Sequence, residues 1–157
     1  MSTSFVPITI STLPRISPPT LANLLLSPDS GSKIAVIDVR DSDHIGGHIK
    51  SSSWIPLNEL DARIPELIRL HKNKDKVVFH CMLSQQRGPS AALKYARAVK
   101  DKKERERKER EKEGKSTELE GEGSPEVCVL EGGFGMWQAR YGEDERLTEN
   151  YVKDLWV

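Results

Sequence analysis

Val77-Val78-Phe79-His80-Cys81-Met82-Leu83-Ser84-Gln85-Gln86-Arg87-Gly88-Pro89-Ser90-Ala91-Ala92-Leu93 is the stretch that decides the fold. Val77 to Phe79 reads as a short buried strand, and Gly88-Pro89 followed by Ser90 to Ala96 reads as the first turns of a helix. Proline is tolerated there because the first-turn N–H groups have no helical partner to lose. The segment Met82 to Gln86 must then curl between strand end and helix start, with successive backbone N–H groups pointing inward above Cys81. Such a nest suits a tetrahedral oxyanion.

The residue types in this segment belong to one chemistry. A free thiol with a pKa near ~8.5 is only slightly ionised at neutral pH, and a helix N-terminus with a nearby guanidinium lowers that value by several units. Cys81 is therefore expected as a thiolate able to attack phosphorus, arsenic or sulfur, with Arg87 clasping two oxygens bidentately as charge spreads over them. Met82, Leu83, Ser84, Gln85, Gln86 and Arg87 form the expected oxyanion-binding set. Ser84 is further expected to donate a hydrogen bond to the Cys81 sulfur when that sulfur leaves. His80, beside the nucleophile, reads as orienting the loop rather than moving protons. No metal or cofactor is called for.

A leaving oxygen needs a proton, and Asp41, Asp43 and Glu131 are the candidate donors, none of them singled out by position. Asp38 ends the apolar run Ile34-Ala35-Val36-Ile37 and reads as a structural carboxylate that holds loops together by pairing with an arginine or with backbone amides, and Arg40 likewise reads as an ion-pair residue and not a substrate ligand. Cys128 lies within Val127-Cys128-Val129-Leu130 and reads as a small buried hydrophobe, not a resolving thiol.

The segment from His80 to Pro89 resembles the active-site loop of small rhodanese-fold phosphatases and arsenate reductases related to the cell-division-cycle twenty-five phosphatases. Residues Ile37 to Ile49 resemble the first rhodanese homology motif, and Val129 to Trp137 resemble the second. The likeness spans roughly Ile16 to Tyr141 apart from one insertion. It implies a three-layer α/β fold, with a central parallel sheet and helices on both faces. It also implies a phosphatase of the protein tyrosine or dual-specificity type acting through a phosphocysteine on Cys81, or else an arsenate reductase. The latter takes its electrons from glutathione or glutaredoxin, so glutathione enters only as a reductant. Sulfurtransferases of this fold carry a loop one residue shorter, which makes sulfur transfer the lesser reading, as is a non-catalytic binding module. Two departures stand out: Val39 replaces a cysteine that the cell-cycle phosphatases carry, and Met82 replaces an acidic residue after the nucleophile.

The alternation of strand and helix patterns independently points to a parallel sheet covered on both faces, and catalytic loops in such sheets lie at the carboxyl ends of strands. One domain is expected over residues 16–157, preceded by an N-terminal segment at 1–15. Leu57 to Leu70 carries apolar residues at helical intervals, with Pro65 expected to divide it into two pieces. The insertion begins with the uninterrupted charged run Lys100 to Glu113, whose acids and bases recur three and four apart. That pattern predicts an exposed extension of the preceding helix and a flexible stretch from Gly114 to about Pro125. Residues 100–113 could also dock a protein partner.

A formal net charge of zero gives no bulk field for nucleic acid or an acidic membrane. The two cysteines match neither a disulfide framework nor a zinc spacing, and a reactive thiolate needs a reducing compartment, so cytoplasm or nucleus is expected. The expected partners are a phosphorylated protein or a small phosphate or arsenate oxyanion.

Overall fold

Three apolar runs become the inner strands of a parallel sheet in the computed structural model, which describes residues 7–115 and 123–156. They are β2 (Ile34–Asp38), β5 (Lys76–His80) and β6 (Glu126–Leu130), buried along nearly their whole length. Burial on both faces explains why each reads as a continuous apolar stretch instead of an alternation. β1 (Arg15–Ile16) and β4 (Ser53–Trp54) complete the order β1-β6-β5-β2-β4, with every neighbouring pair parallel. A separate antiparallel pair joins β3 (His48–Ile49) to β7 (Thr148–Glu149).

Successive side chains on each strand enter opposite layers. Ile37, Val77, Phe79, Val127 and Val129 pack with Leu60, Ile64 and Leu67 of α2 (Leu57–His71) and with Ala91, Ala92 and Tyr95 of α3 (Arg87–Lys112). Val36, Val78, Cys128 and Leu130 pack with Leu21 and Ala22 of α1 (Pro18–Leu26) and with Phe134 and Trp137 of α4 (Gly133–Tyr141). The result is the three-layer α/β arrangement expected from the sequence. α1 begins on a local signal, Ser17 accepting the Thr20 N–H at 3.2 Å with proline in the first turn.

Three features depart from the sequence reading, the last of them not foreseen at all. Pro65 does not divide its segment, because α2 is one helix from Leu57 to His71. Leu60 and Ile64 before the proline and Leu67 and Ile68 after it are all buried on one face, which holds the two turns in line across the missing N–H. The boundary at 15/16 cuts through β1, and the preceding residues belong to the domain: Leu13 is buried in the core, and the Ile8 carbonyl accepts from Arg97 Nη2 at 3.0 Å. The third is the β3–β7 pair, whose two-residue strands are too short to show a period.

α3 runs on as an exposed charged helix to Lys112, with Lys102 and Glu106 paired one turn apart at 3.5 Å. The flexible stretch expected beyond Gly114 falls largely on residues 116–122, outside those described. No helix among the described residues is long and apolar enough to cross a membrane.

Trp137 is fully buried, and its Nε1–H donates to Thr148 Oγ1 at 3.0 Å, tying α4 to the end of the chain. Trp137→Ala should therefore cost about 3–5 kcal/mol in urea unfolding. Arg105→Ala on the exposed extension should stay within about 0.5 kcal/mol.

Candidate active site

Cys81 follows the last residue of β5, and α3 begins six residues later at Arg87. Its side chain is nearly closed off from solvent, at 3 % exposure. Two main-chain N–H groups aim at the sulfur: Ser84 at 3.2 Å and Gly88 at 3.3 Å. The first is set by a left-handed residue, Ser84 having φ 56°, a conformation uncommon outside glycine. The second needs a glycine for space, since a Cβ at 88 would stand 3.2 Å from His80 Cα and 3.3 Å from Cys81 N. No side chain among the described residues caps the start of α3 at Gln86; of its first-turn N–H groups Gly88's is on the sulfur and Pro89 has none, so Arg87's is left for an anion.

Ser84 contributes differently from its expected part. The contact to sulfur comes from its main-chain N–H, while the buried hydroxyl has no hydrogen-bond partner among the described residues. Met82 is half-buried and Leu83, Gln85 and Gln86 are exposed, so these side chains form the rim. The sequence reading missed two supports. Gly88 was read only as a helix signal, and Gly133 braces the loop from α4: the Cys81 carbonyl accepts the Phe134 N–H at 3.0 Å and the Met82 carbonyl the Gly135 N–H at 2.8 Å. Gly133 has φ 59°, and a Cβ there would lie 2.5 Å from both of those carbonyl oxygens. The Gly132-Gly133 pair was the visible signal.

Arg87 is engaged. Its Nη1 and Nη2 donate to Asp43 Oδ1 at 3.0 Å and Oδ2 at 2.7 Å, a two-pronged pair at the pocket mouth. This hydrogen bonding pushes the guanidinium further up and holds the Asp43 carboxyl below the ordinary aspartate range. Of the other proposed proton donors, Asp41 supports Asp43 through its main-chain N–H at 2.9 Å, and Glu131 faces Arg15 at 3.8 Å. Arg15 also donates to the Ser84 carbonyl at 3.3 Å, a link across 69 positions that no local pattern displays.

Asp38 and Arg40 are both fully buried and paired, Arg40 Nη2 donating to Asp38 Oδ2 at 2.7 Å and Nε to Oδ1 at 3.0 Å. Arg40 also donates to the Gly47 carbonyl at 3.0 Å and the Asp43 carbonyl at 3.4 Å, and lies 4.4 Å over the Phe134 ring. It thereby shapes residues 39–47, the loop that carries Asp43. Burial works against the Asp38 charge, but His80 and the permanently charged Arg40 outweigh it and bring the carboxyl down. Burial also pushes His80 down, leaving it a neutral ring at pH 7 and Arg40 the partner that counts. His80 Nδ1 lies 3.1 Å from the Cys81 carbonyl, which orients the nucleophile's own peptide.

Cys128 stands in register with Val78 and packs in the α1–α4 layer, whereas Cys81 packs in the α2–α3 layer. Burial pushes its thiol up to about 12. Among the described residues no group of three or more His, Cys, Asp or Glu side chains could hold a metal ion.

A parallel sheet with a cysteine at the carboxyl end of a central strand, its sulfur held by two main-chain N–H groups and an arginine starting the next helix, defines a candidate thiol-based site. The chain belongs to the family described as the rhodanese-like domain, which it matches over residues 21–140. It is 40% identical over 132 residues to a CDC25-like phosphatase of Saccharomyces cerevisiae, covering 77% of this chain and 76% of that one. It is 37% identical over 124 residues to an arsenate reductase of Oryza sativa subsp. japonica, covering 74% of this chain and 64% of the relative. Among solved structures, a Saccharomyces cerevisiae homolog of single-domain rhodanese and the Cdc25 phosphatase catalytic domain superposes with a TM-score of 0.68 at 31% identity, covering 96% of each chain.

Because the folded Asp38 value is depressed, its stabilising contribution is complete above the unfolded aspartate value near ~3.9 and is lost as pH falls through the folded one. Arg40→Leu leaves a buried carboxylate with only the His44 and His80 rings beside it, at 3.5 and 4.0 Å, and should cost about 3–5 kcal/mol at neutral pH. In urea titrations across pH that cost should shrink below pH ~4, where the unaltered chain loses the same pair.

Proposed function

We propose that this chain is a cysteine-dependent phosphatase of the protein tyrosine or dual-specificity type. The observation that carries the reading is the Cys81 sulfur held by the Ser84 and Gly88 N–H groups at 3.2 and 3.3 Å, with Arg87 at the start of the helix above it. The likeness to the yeast phosphatase supports it over a comparable share of both chains.

In the first step the Cys81 sulfur attacks phosphorus, the S–P bond forms and the bond to the ester oxygen breaks. The phosphoryl oxygens are bound by the free Arg87 N–H at the start of α3 and by the Arg87 guanidinium, which must first turn from Asp43. Water then attacks phosphorus, the S–P bond breaks, and the departing sulfur is received by the same two N–H groups. No step requires a metal or cofactor. The substrate is a phosphorylated protein, met in a reducing compartment such as the cytoplasm or nucleus. The exposed run from Lys100 to Glu113 offers a separate face for a protein partner.

A second reading, arsenate reduction, draws on the rice relative and on the position of Cys128. Arsenate would condense on Cys81 and be reduced to arsenite by two electrons from two glutathione thiols, or from glutaredoxin, which become a disulfide. An external reductant is the one the fold allows, because the only other thiol lies buried in the opposite layer.

Cys81→Ser should abolish hydrolysis of an aryl phosphate, and Arg87→Ala should lower it by at least about a hundredfold. Turnover retained by the serine variant overturns the reading. Arsenate reduction with glutathione and glutaredoxin on the same preparation, faster than ester hydrolysis, would put the second reading first.

A further inference from the structure

We propose that Asp43 is a carboxylate held in reserve by Arg87: an incoming oxyanion dianion displaces it from the guanidinium, and it then protonates the leaving oxygen. This rests on the phosphatase reading and assigns the proton donor that the sequence leaves open.

The argument starts from occupancy. Both Nη atoms of Arg87 are engaged by Asp43, one carboxylate oxygen each, the geometry in which a guanidinium also takes two phosphoryl oxygens. A phosphate ester arriving over Cys81 therefore meets a fork already occupied by an anion. At equal distance a dianion attracts the guanidinium about twice as strongly as a single carboxylate does. The positive end of α3, with no side-chain cap at Gln86, adds to the dianion's side, so the exchange runs toward substrate.

The same exchange changes what Asp43 can do. In the empty pocket its hydrogen bonds to Arg87 keep it ionised, which disqualifies it as an acid. After displacement the carboxylate has lost its cation and faces a dianion, and both changes favour its neutral form. It also stays close. Asp41 N–H holds Oδ1 at 2.9 Å, and Arg40, locked in its buried pair, donates to the Asp43 carbonyl at 3.4 Å. The other acids are placed less well: the segment Met82 to Gln86 contains none, and Glu131 is turned to Arg15.

On losing Arg87, Asp43 takes up one proton from solvent, and it returns one to solvent when it re-pairs with Arg87 at the end of the cycle. As the S–P bond forms and the P–O bond breaks, the Asp43 proton passes to the departing oxygen and the carboxylate is restored. In the second step that carboxylate accepts a proton from the attacking water, and phosphate and the Cys81 thiolate are released. Loss of phosphate frees Arg87 to take Asp43 back.

The test is leaving-group dependence in Asp43→Asn, measured on the full chain with phenyl, nitrophenyl and dinitrophenyl phosphate. Phenol, with a pKa of about 10 like tyrosine, needs the proton most. Turnover of its ester should fall about a hundredfold or more, and the loss should shrink steadily toward the dinitrophenyl ester. Asp43→Glu, which keeps a carboxyl, should recover part of the phenyl-ester rate. Vanadate, a tetrahedral oxyanion probe, should inhibit Asp43→Asn more tightly, because its internal rival is gone. An equal loss on all three esters, or none on phenyl phosphate, overturns the proton-donor assignment. Vanadate inhibition that is unchanged or weakened overturns the displacement. If the unaltered chain fails to hydrolyse even dinitrophenyl phosphate through Cys81, the phosphatase reading falls and the proton donor with it, while vanadate binding still decides the exchange at Arg87.

Discussion

The start of α3 lies so close to the end of β5 that a Cβ at position 88 would be tight against the His80 and Cys81 backbone, at 3.2 and 3.3 Å. That approach makes the rest of the pocket. It places the Gly88 N–H on the Cys81 sulfur and compresses the intervening residues into a tight turn, with Ser84 in a left-handed conformation. It also leaves the helix start uncapped above the sulfur, where partial positive charge is concentrated. The layers on either side of the sheet hold this contact. Ala91, Ala92 and Tyr95 anchor α3 from one layer, and α4 braces the loop's carbonyls from the other.

A second, buried interaction supports the other wall. Arg40 is fully enclosed, and its donors go to Asp38 and to the carbonyls of Gly47 and Asp43, so the loop after β2 is shaped from within. A guanidinium suits this task because it has five donors in a fixed fork and no acceptor to satisfy. The loop then presents Asp43 to Arg87. The two motifs are distant in sequence but become one site because β2 and β5 are neighbours in the sheet, Asp38 standing opposite His80.

Much of this was legible residue by residue. Val77 to Phe79 announced the strand and Ser17-Pro18 announced a helix start, because a run of apolar side chains and a capping hydroxyl act over a few residues. Asp38 and Arg40 were each readable as a structural ion-pairing residue, and the fold shows them to be each other's partner. The Arg15 link to Ser84, the grip of Asp43 on Arg87 and the β3–β7 pair were not readable, since each joins segments tens of residues apart through one or two contacts. Pro65 misled for a related reason. Its local preference is to break a helix, and it was overruled by apolar contacts on both sides that the local pattern does not weigh.

The sequence by itself determined the nucleophile, the anion-binding arginine and the layered parallel fold, because these follow from residue type, spacing and periodicity within short segments. Only the tertiary structure decided what Arg87 does when no substrate is present and which N–H groups face the sulfur. It also decided that Cys128 cannot reach Cys81, since the strand alternation sends the two thiols to opposite faces of one sheet. Those outcomes depend on strand order and on the angle at which a helix meets a strand end. Both are set by packing of the whole core and not by any one stretch of chain.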